Sequence, residues 1–187
     1  MINKIDLPTD SKILDIGTGF GAMSILLALN GYDVLTGQPK YDPDFDLHTH
    51  YHCEHELNSQ NKTWIELSDW KQNAQKIGVS KKISFMYLTA NKLCFPDETF
   101  DGVFLYDSLQ HIAERESALI ECLRVTKTNN FICIIEWNKE VIKDTEKNEG
   151  FTIDYIDPRE LLTNKKKEFL TSLTSGKTSN IFLLKKI

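Results

Sequence analysis

Two stretches of this sequence concentrate residue types that bind or react. In the first, Asp15-Ile16-Gly17-Thr18-Gly19-Phe20-Gly21, an acid stands two places before three glycines set on alternate positions. Glycines so spaced let a backbone turn sharply and bring its amides against a ligand. Gly17-x-Gly19-x-x-Ala22 also satisfies a dinucleotide-binding spacing, with alanine as its last member. The second stretch, His48-Thr49-His50-Tyr51-His52-Cys53-Glu54-His55, holds four of the chain's 5 histidines. On a strand, His48, His50 and His52 share one face and Glu54 follows, so with His55 they are a candidate ligand set for zinc or another divalent ion. The plainer reading of the same run is a polar loop. His111 is the remaining histidine; an imidazole with a pKa near ~6.5 can relieve a nucleophile of its proton, and equally serves as a helix end. Tyr106-Asp107-Ser108 offers a further acid nearby.

The elements that must hold these residues follow from hydrophobic period. Lys12–Ile16 reads as a buried strand, the glycines as a turn, and the next run as a helix from Ala22 to the left-handed stop Asn30-Gly31. Asp33–Gly37 is the second strand. Trp64, Leu67, Trp70, Ala74 and Ile77 recur at steps of three or four and stop at Gly78, marking the core face of a second helix. Ile83–Leu88, Gly102–Tyr106 and Phe131–Trp137 are three more strands, with a helix over Arg115–Val125. Alternation of this kind predicts βαβ units and a mostly parallel sheet. Asn138–Gly150 reads as a loop or frayed helix, and Pro158–Leu162 as a short helix. Phe169–Leu173 and Ile181–Leu184 are too close for a crossover and predict a terminal antiparallel hairpin. Residues 38–62 fit neither period and read as an insertion in a single domain spanning 1–187.

Composition limits the function classes. A chain of 187 residues with 41% hydrophobic and 26% charged residues is one ordinary globular domain. Its net charge of -5 argues against broad capture of nucleic acid or anionic membrane. Four dispersed cysteines, no C-x-x-C pair and no apolar leader read as free thiols in a reducing, cytoplasmic setting. No apolar run reaches the roughly 20 residues that cross a bilayer.

Three details set the glycine turn apart from a pyrophosphate site: Asp15, the third glycine Gly21, and the terminal hairpin. A nearby carboxylate helps a ligand bearing an ammonium and a sulfonium, and does little for a pyrophosphate. With Ile13–Gly21, the sequence carries Leu93-Cys94-Phe95-Pro96-Asp97-Glu98-Thr99-Phe100-Asp101-Gly102-Val103, Leu109-Gln110-His111-Ile112, and Glu121–Val125 leading into Phe131–Glu136. In that order these segments resemble the class I S-adenosylmethionine (SAM)-dependent methyltransferases, in the branch that methylates small molecules. The resemblance implies a Rossmann-like α/β sheet of seven strands, order 3-2-1-4-5-7-6, with the last strand antiparallel. It implies that Gly17, Thr18, Gly19 and Gly21 line the methionine and ribose of SAM, and that Asp15 organises the loop and favours the ligand's ammonium through water. Asp101 takes a structural part at the start of strand 4. Asp107 would face the transferable methyl beside the cofactor, with His111 near the acceptor.

The sequence departs from that family at two contacts. Gln38 aligns where an acid usually accepts both ribose hydroxyls, and Thr89-Ala90 where an acid usually meets the adenine amine. If each missing charged hydrogen bond is worth about 1 kcal/mol, affinity falls roughly tenfold to a hundredfold. Asp42, Asp44 or Asp46 of the insertion can supply a substitute carboxylate. The short segment before strand 1 leaves the site open, or covered by the insertion or a partner. Thr49-His50-x-His52-x-Glu54-His55 also looks like the metal-binding run of metallo-β-lactamase-like hydrolases, but the surrounding order of elements belongs to another fold. The expected activity is SAM-dependent methylation of a small molecule. The alternatives are a methyltransferase-like binding or regulatory module, which the two missing acids favour, and a nicotinamide-dependent oxidoreductase, which the hairpin disfavours.

Overall fold

A computed structural model describes residues 7–40, 70–149, 152–165 and 167–187. Five strands run parallel: Lys12–Ile16 (β1), Asp33–Gln38 (β2), Ile83–Tyr87 (β3), Phe100–Tyr106 (β4) and Thr126–Trp137 (β5). Phe169–Ser175 (β6) and Ser179–Lys186 (β7) form an antiparallel hairpin whose β7 docks antiparallel on β5. The seven-stranded sheet has the order β3-β2-β1-β4-β5-β7-β6, as the resemblance implies. The described helices are Ala22–Leu29 (α1), Trp70–Ile77 (α2), Arg115–Val125 (α3), Lys139–Glu149 (α4) and Pro158–Leu161 (α5).

Alternate residues of each central strand feed two separate cores. Leu14, Val103, Leu105, Ile132 and Ile134 pack on one side with Ala118, Leu119 and Cys122 of α3. Ile13, Phe104, Cys133 and Ile135 pack on the other with Met23, Leu27 and Ala28 of α1 and Ala74 of α2. Strands buried on both faces explain why their sequences read as near-continuous apolar runs. Cys122 and Cys133 are free thiols, and burial pushes both up to about 12, so they serve as small apolar side chains.

Polar side chains fasten the layers. Asp101 accepts from the Lys12 amide at 2.9 Å and the Lys127 ammonium at 2.7 Å, tying the start of β4 to β1 and β5 as expected of it. Arg124 donates to Glu121 at 2.7 Å, to Asp97 at 2.8 Å, and to the carbonyls of Phe95 and Leu93 at 2.7 and 2.9 Å. Two segments that carry the family resemblance, 93–103 and 121–125, are thus bonded to each other by one planar guanidinium fork.

The structure revises several sequence expectations. Residues after Trp137 form a full helix, α4, because the Asn138 side chain accepts from the amides of Glu140 and Val141 at 3.1 and 3.0 Å, a cap that offsets a weak apolar pattern. β4 and β5 each start earlier than expected: Phe100 pairs with Thr126, and regular pairing resumes at Gly102 and Phe131. Asn129, at φ 66°, adopts the left-handed conformation where the pairing is interrupted, and asparagine tolerates it. The hairpin strands extend through polar Thr174, Ser175, Ser179 and Asn180, which the apolar pattern could not mark. Ile77 is 50% exposed, so the second helix buries Ala74 more completely than its whole apolar stripe. Trp64 and Leu67 lie outside the described residues.

Gly37 sits where β2 meets β3: a Cβ there would stand 2.5 Å from the Met86 carbonyl oxygen and 2.6 Å from the Leu88 side chain. Backbone cannot yield as a flexible side chain can, so Gly37→Ala is expected to cost about 2–3 kcal/mol. A urea melt checks this; a midpoint equal to the wild type's would mean the strands part freely there.

Candidate active site

Parallel strands deliver their carboxyl ends to one edge of the sheet, where the glycine turn follows β1, Gln38 ends β2, Thr89-Ala90 lies just beyond β3 and Asp107 follows β4. Gly17 donates its amide to the Gly37 carbonyl at 2.9 Å, and the Gly21 amide returns to the Thr18 carbonyl at 2.8 Å to close the turn into α1. The three glycines fall into two kinds. A Cβ on Gly17 would lie 2.6 Å from the Ser108 Cβ, and one on Gly21 would lie 2.9 Å from the Trp70 Cβ, so those two positions are packed. At Gly19, whose φ is 45°, a Cβ would meet nothing among the described residues within 4 Å. Among the described residues, that position faces open space.

Beneath the turn, Asp15 is fully buried. Its Oδ2 accepts from the Ser24 hydroxyl at 2.5 Å and the Thr36 hydroxyl at 2.9 Å, while Thr36 and Thr18 hydroxyls lie 3.0 Å apart. A hydroxyl has one proton to give, and Thr36 gives it to Asp15, so Thr18 must be the donor to Thr36. Donation therefore runs from Thr18 to Thr36 to Asp15 on the side of the turn, and Ser24 of α1 donates to the same carboxylate oxygen from the other side. The other oxygen, Oδ1, is buried without a hydrogen-bond partner among the described residues. Burial pushes the Asp15 carboxyl up to about 6, against the lowering effect of the Ser24 and Thr36 hydrogen bonds. Near neutrality the site thus holds a mostly ionised, under-compensated carboxylate next to an open glycine, and that fits a cationic ligand better than a pyrophosphate.

Around this centre, Gln38 is half-buried at the end of β2, opposite Tyr87, and its carbonyl accepts from the Leu88 amide at 3.0 Å. Thr89 is exposed and Ala90 buried in the turn that closes on Lys92. Asp107 stands at φ 51°, with its amide on the Ile135 carbonyl at 2.9 Å and its carboxylate accepting from the Gln110 side chain at 2.6 Å. His111 is half-buried and ends the short 3-10 turn Leu109–His111. The candidate metal set His48, His50, His52 and His55 lies outside the described residues, among which no metal-ligating cluster occurs.

Three participants escaped the sequence reading: Ser24, Thr36 and Glu136. Each is a buried polar residue in an apolar run, and that was their only signal. Glu136 follows five buried residues of β5 and accepts from the Leu109 and Ser108 amides at 2.8 and 3.2 Å.

An open doubly wound sheet with a glycine bend at its switch point is the architecture of the Rossmann-like α/β domains, in which ligands bind at that edge. Residues 14–134 match a family model described as a methyltransferase domain. The ubiquinone/menaquinone biosynthesis C-methyltransferase UbiE of Salmonella arizonae is 30% identical over 89 residues, covering 48% of this chain and 36% of that protein. The chain thus matches only about a third of the length of the curated relatives. Among solved structures, the PH0226 protein of Pyrococcus horikoshii superposes with a TM-score of 0.68 at 20% identity, covering 100% of this chain and 86% of its own. A SAM-dependent methyltransferase of Aquifex aeolicus gives 0.62 at 18% identity, covering 100% and 87%. The chain belongs to the methyltransferase-domain family, among the class I SAM-dependent methyltransferases.

Proposed function

We propose that this chain transfers the methyl group of SAM to a small-molecule acceptor. The observation that carries the reading is the pairing of an open Gly19 with the buried, half-satisfied Asp15 carboxylate beneath it. When bound, SAM supplies an electrophilic methyl on a positively charged sulfur. Gly17, Thr18, Gly19 and Gly21 are assigned to its methionine and ribose portion, with Asp15 offsetting positive charge from below. Gln38 accepts from one ribose hydroxyl and donates to another, and Thr89 and Ala90 border the base. Asp107 orients the acceptor and His111 takes its proton. Most of the rate would come from in-line positioning, because the sulfonium already provides a good leaving group.

The relatives' names support the acceptor class: UbiE is a C-methyltransferase of quinone biosynthesis. The acidic net charge supports a small molecule in place of nucleic acid or a membrane surface. Three described thiols, Cys94, Cys122 and Cys133, are free, and this supports a reducing cytoplasmic setting. No described helix is long and apolar enough to cross a membrane.

Calorimetry and a thermal shift with SAM test the reading. Saturation to about 100 times Kd should add roughly 2.7 kcal/mol of stability. Absence of both heat and thermal shift at millimolar SAM would favour the binding-module reading, which the replacement of two ligand-contacting acids by Gln38 and Thr89 supports. Stabilisation by a nicotinamide nucleotide in its place would overturn both.

A further inference from the structure

We propose that Glu136 is a positioning residue of the site: its carboxylate clamps the Asp107–Leu109 turn and, through Ser108, fixes the glycine bend. This rests on the SAM-site reading for its consequence and on the apoprotein's own geometry for its existence. Glu136 is only 4% exposed, and a buried acid is tolerated where donors meet it. Both donors, the Ser108 and Leu109 amides, converge on the same Oε1 from one turn. The far side of that turn is gripped by Arg115, which donates to the carbonyls of Leu109 at 3.3 Å and Gln110 at 3.2 Å.

The turn in turn braces the bend. Ser108 donates its hydroxyl to the Ile16 carbonyl at 2.9 Å and fills the space a Gly17 side chain would need. A displaced Ser108 therefore loses its bond to the Ile16 carbonyl, immediately before Gly17, and the carboxyl end of β5 is coupled to the ligand-facing edge of β1. That turn carries Asp107 and leads through Leu109 into the 3-10 turn that ends at His111, so the clamp governs both the cofactor side and the acceptor side.

Two charged groups act on Glu136: Asp107 in the turn opposes its ionisation and Arg115 of α3 favours it, while Asp154 engages Arg115 at 3.5 Å. Burial, the largest influence, pushes the carboxyl up to about 7. Between pH 6 and 8 the acceptor therefore changes from neutral to charged, and charge-assisted bonds to the two amides are shorter and stronger.

The test is a pH titration of the Ser108 and Leu109 amides by NMR in the apoprotein, with SAM calorimetry in parallel. In the wild type both amide resonances should titrate near pH 7. Glu136→Gln, whose amide oxygen still accepts both bonds, should hold them at their low-pH positions throughout. SAM affinity of Glu136→Gln should match the wild type at pH 6 and fall about threefold to tenfold below it at pH 8. Glu136→Ala should lose amide protection at every pH. Wild-type amides that do not titrate, or a Glu136→Gln variant that keeps the wild-type rise in affinity, overturn the proposal. Titrating amides in a protein that binds no SAM would uphold the clamp and sink the SAM reading alone.

Discussion

Gly19→Arg is expected to abolish SAM binding while the apoprotein stays folded. Of the glycines in the bend, Gly19 alone has no described neighbour where a side chain would start, so the arginine projects into ligand space without disturbing β4 or α2. Its left-handed φ of 45° costs an arginine about 1 kcal/mol, and Asp107 and Glu98 already tolerate similar angles in this chain. For a domain of this size that is a drop in Tm of roughly 2–4 °C. Added positive charge above Asp15 also repels a sulfonium. Calorimetry with a parallel thermal melt decides the matter: retained SAM affinity would mean that the bend is a plain corner between strand and helix. Gly17→Ala is the contrasting variant, because its Cβ collides with Ser108 and takes stability together with binding.

Asp15→Asn should separate stability from binding. The ordinary carboxylate value of 3.8 rises to about 6 in the fold, so the native state holds a proton that the unfolded chain has released. Stability therefore falls as pH rises from about 4 to about 6, by up to roughly 3 kcal/mol, and the deficit persists above that window. Asparagine has no such proton to lose, so Asp15→Asn should lose this share of the fall and be less steep over pH 4–6. The share produced by Glu136, whose carboxyl rises from 4.5 to about 7, overlaps that window, runs on above it and should remain. SAM affinity should drop about tenfold or more, since the charge beneath the bend is gone. Thermal melts across pH 4–8 read the first effect and calorimetry the second. An unchanged pH dependence would show that Asp15 is solvated in the native state.

The strands, the glycine bend and the terminal hairpin were legible because each leaves a local trace: alternating apolar runs, φ-permissive residues, and a strand spacing too short for a helix; the order of the strands in the sheet came only with the family resemblance. α4 left a weaker one, since its polar surface hides the helix and its stability is assigned by a single capping asparagine. The polar second tier of the site was not legible. Ser24, Thr36 and Glu136 are defined by partners at sequence separations of 9, 21 and 27 to 28 residues, and no local pattern announces such contacts. Arg124 is similar: only the fold shows that it bonds the loop near residue 95 to α3. Gln38 and Thr89 were found as departures from a pattern, and their positions at the strand ends explain why substitution there leaves the sheet intact.

The placement of β1 between β2 and β4 has a bearing on how the chain assembles. Lys12 and Asp101, which join those two strands, are separated by 89 residues, whereas β6 and β7 are contiguous. Closing the longer circuit costs more chain entropy and slows the search, so the hairpin can form early while the middle of the sheet waits. On the ribosome, the glycine bend gains its second wall only after β4 emerges. Protease resistance of stalled nascent chains should therefore rise steeply once the segment through Trp137 has cleared the exit tunnel.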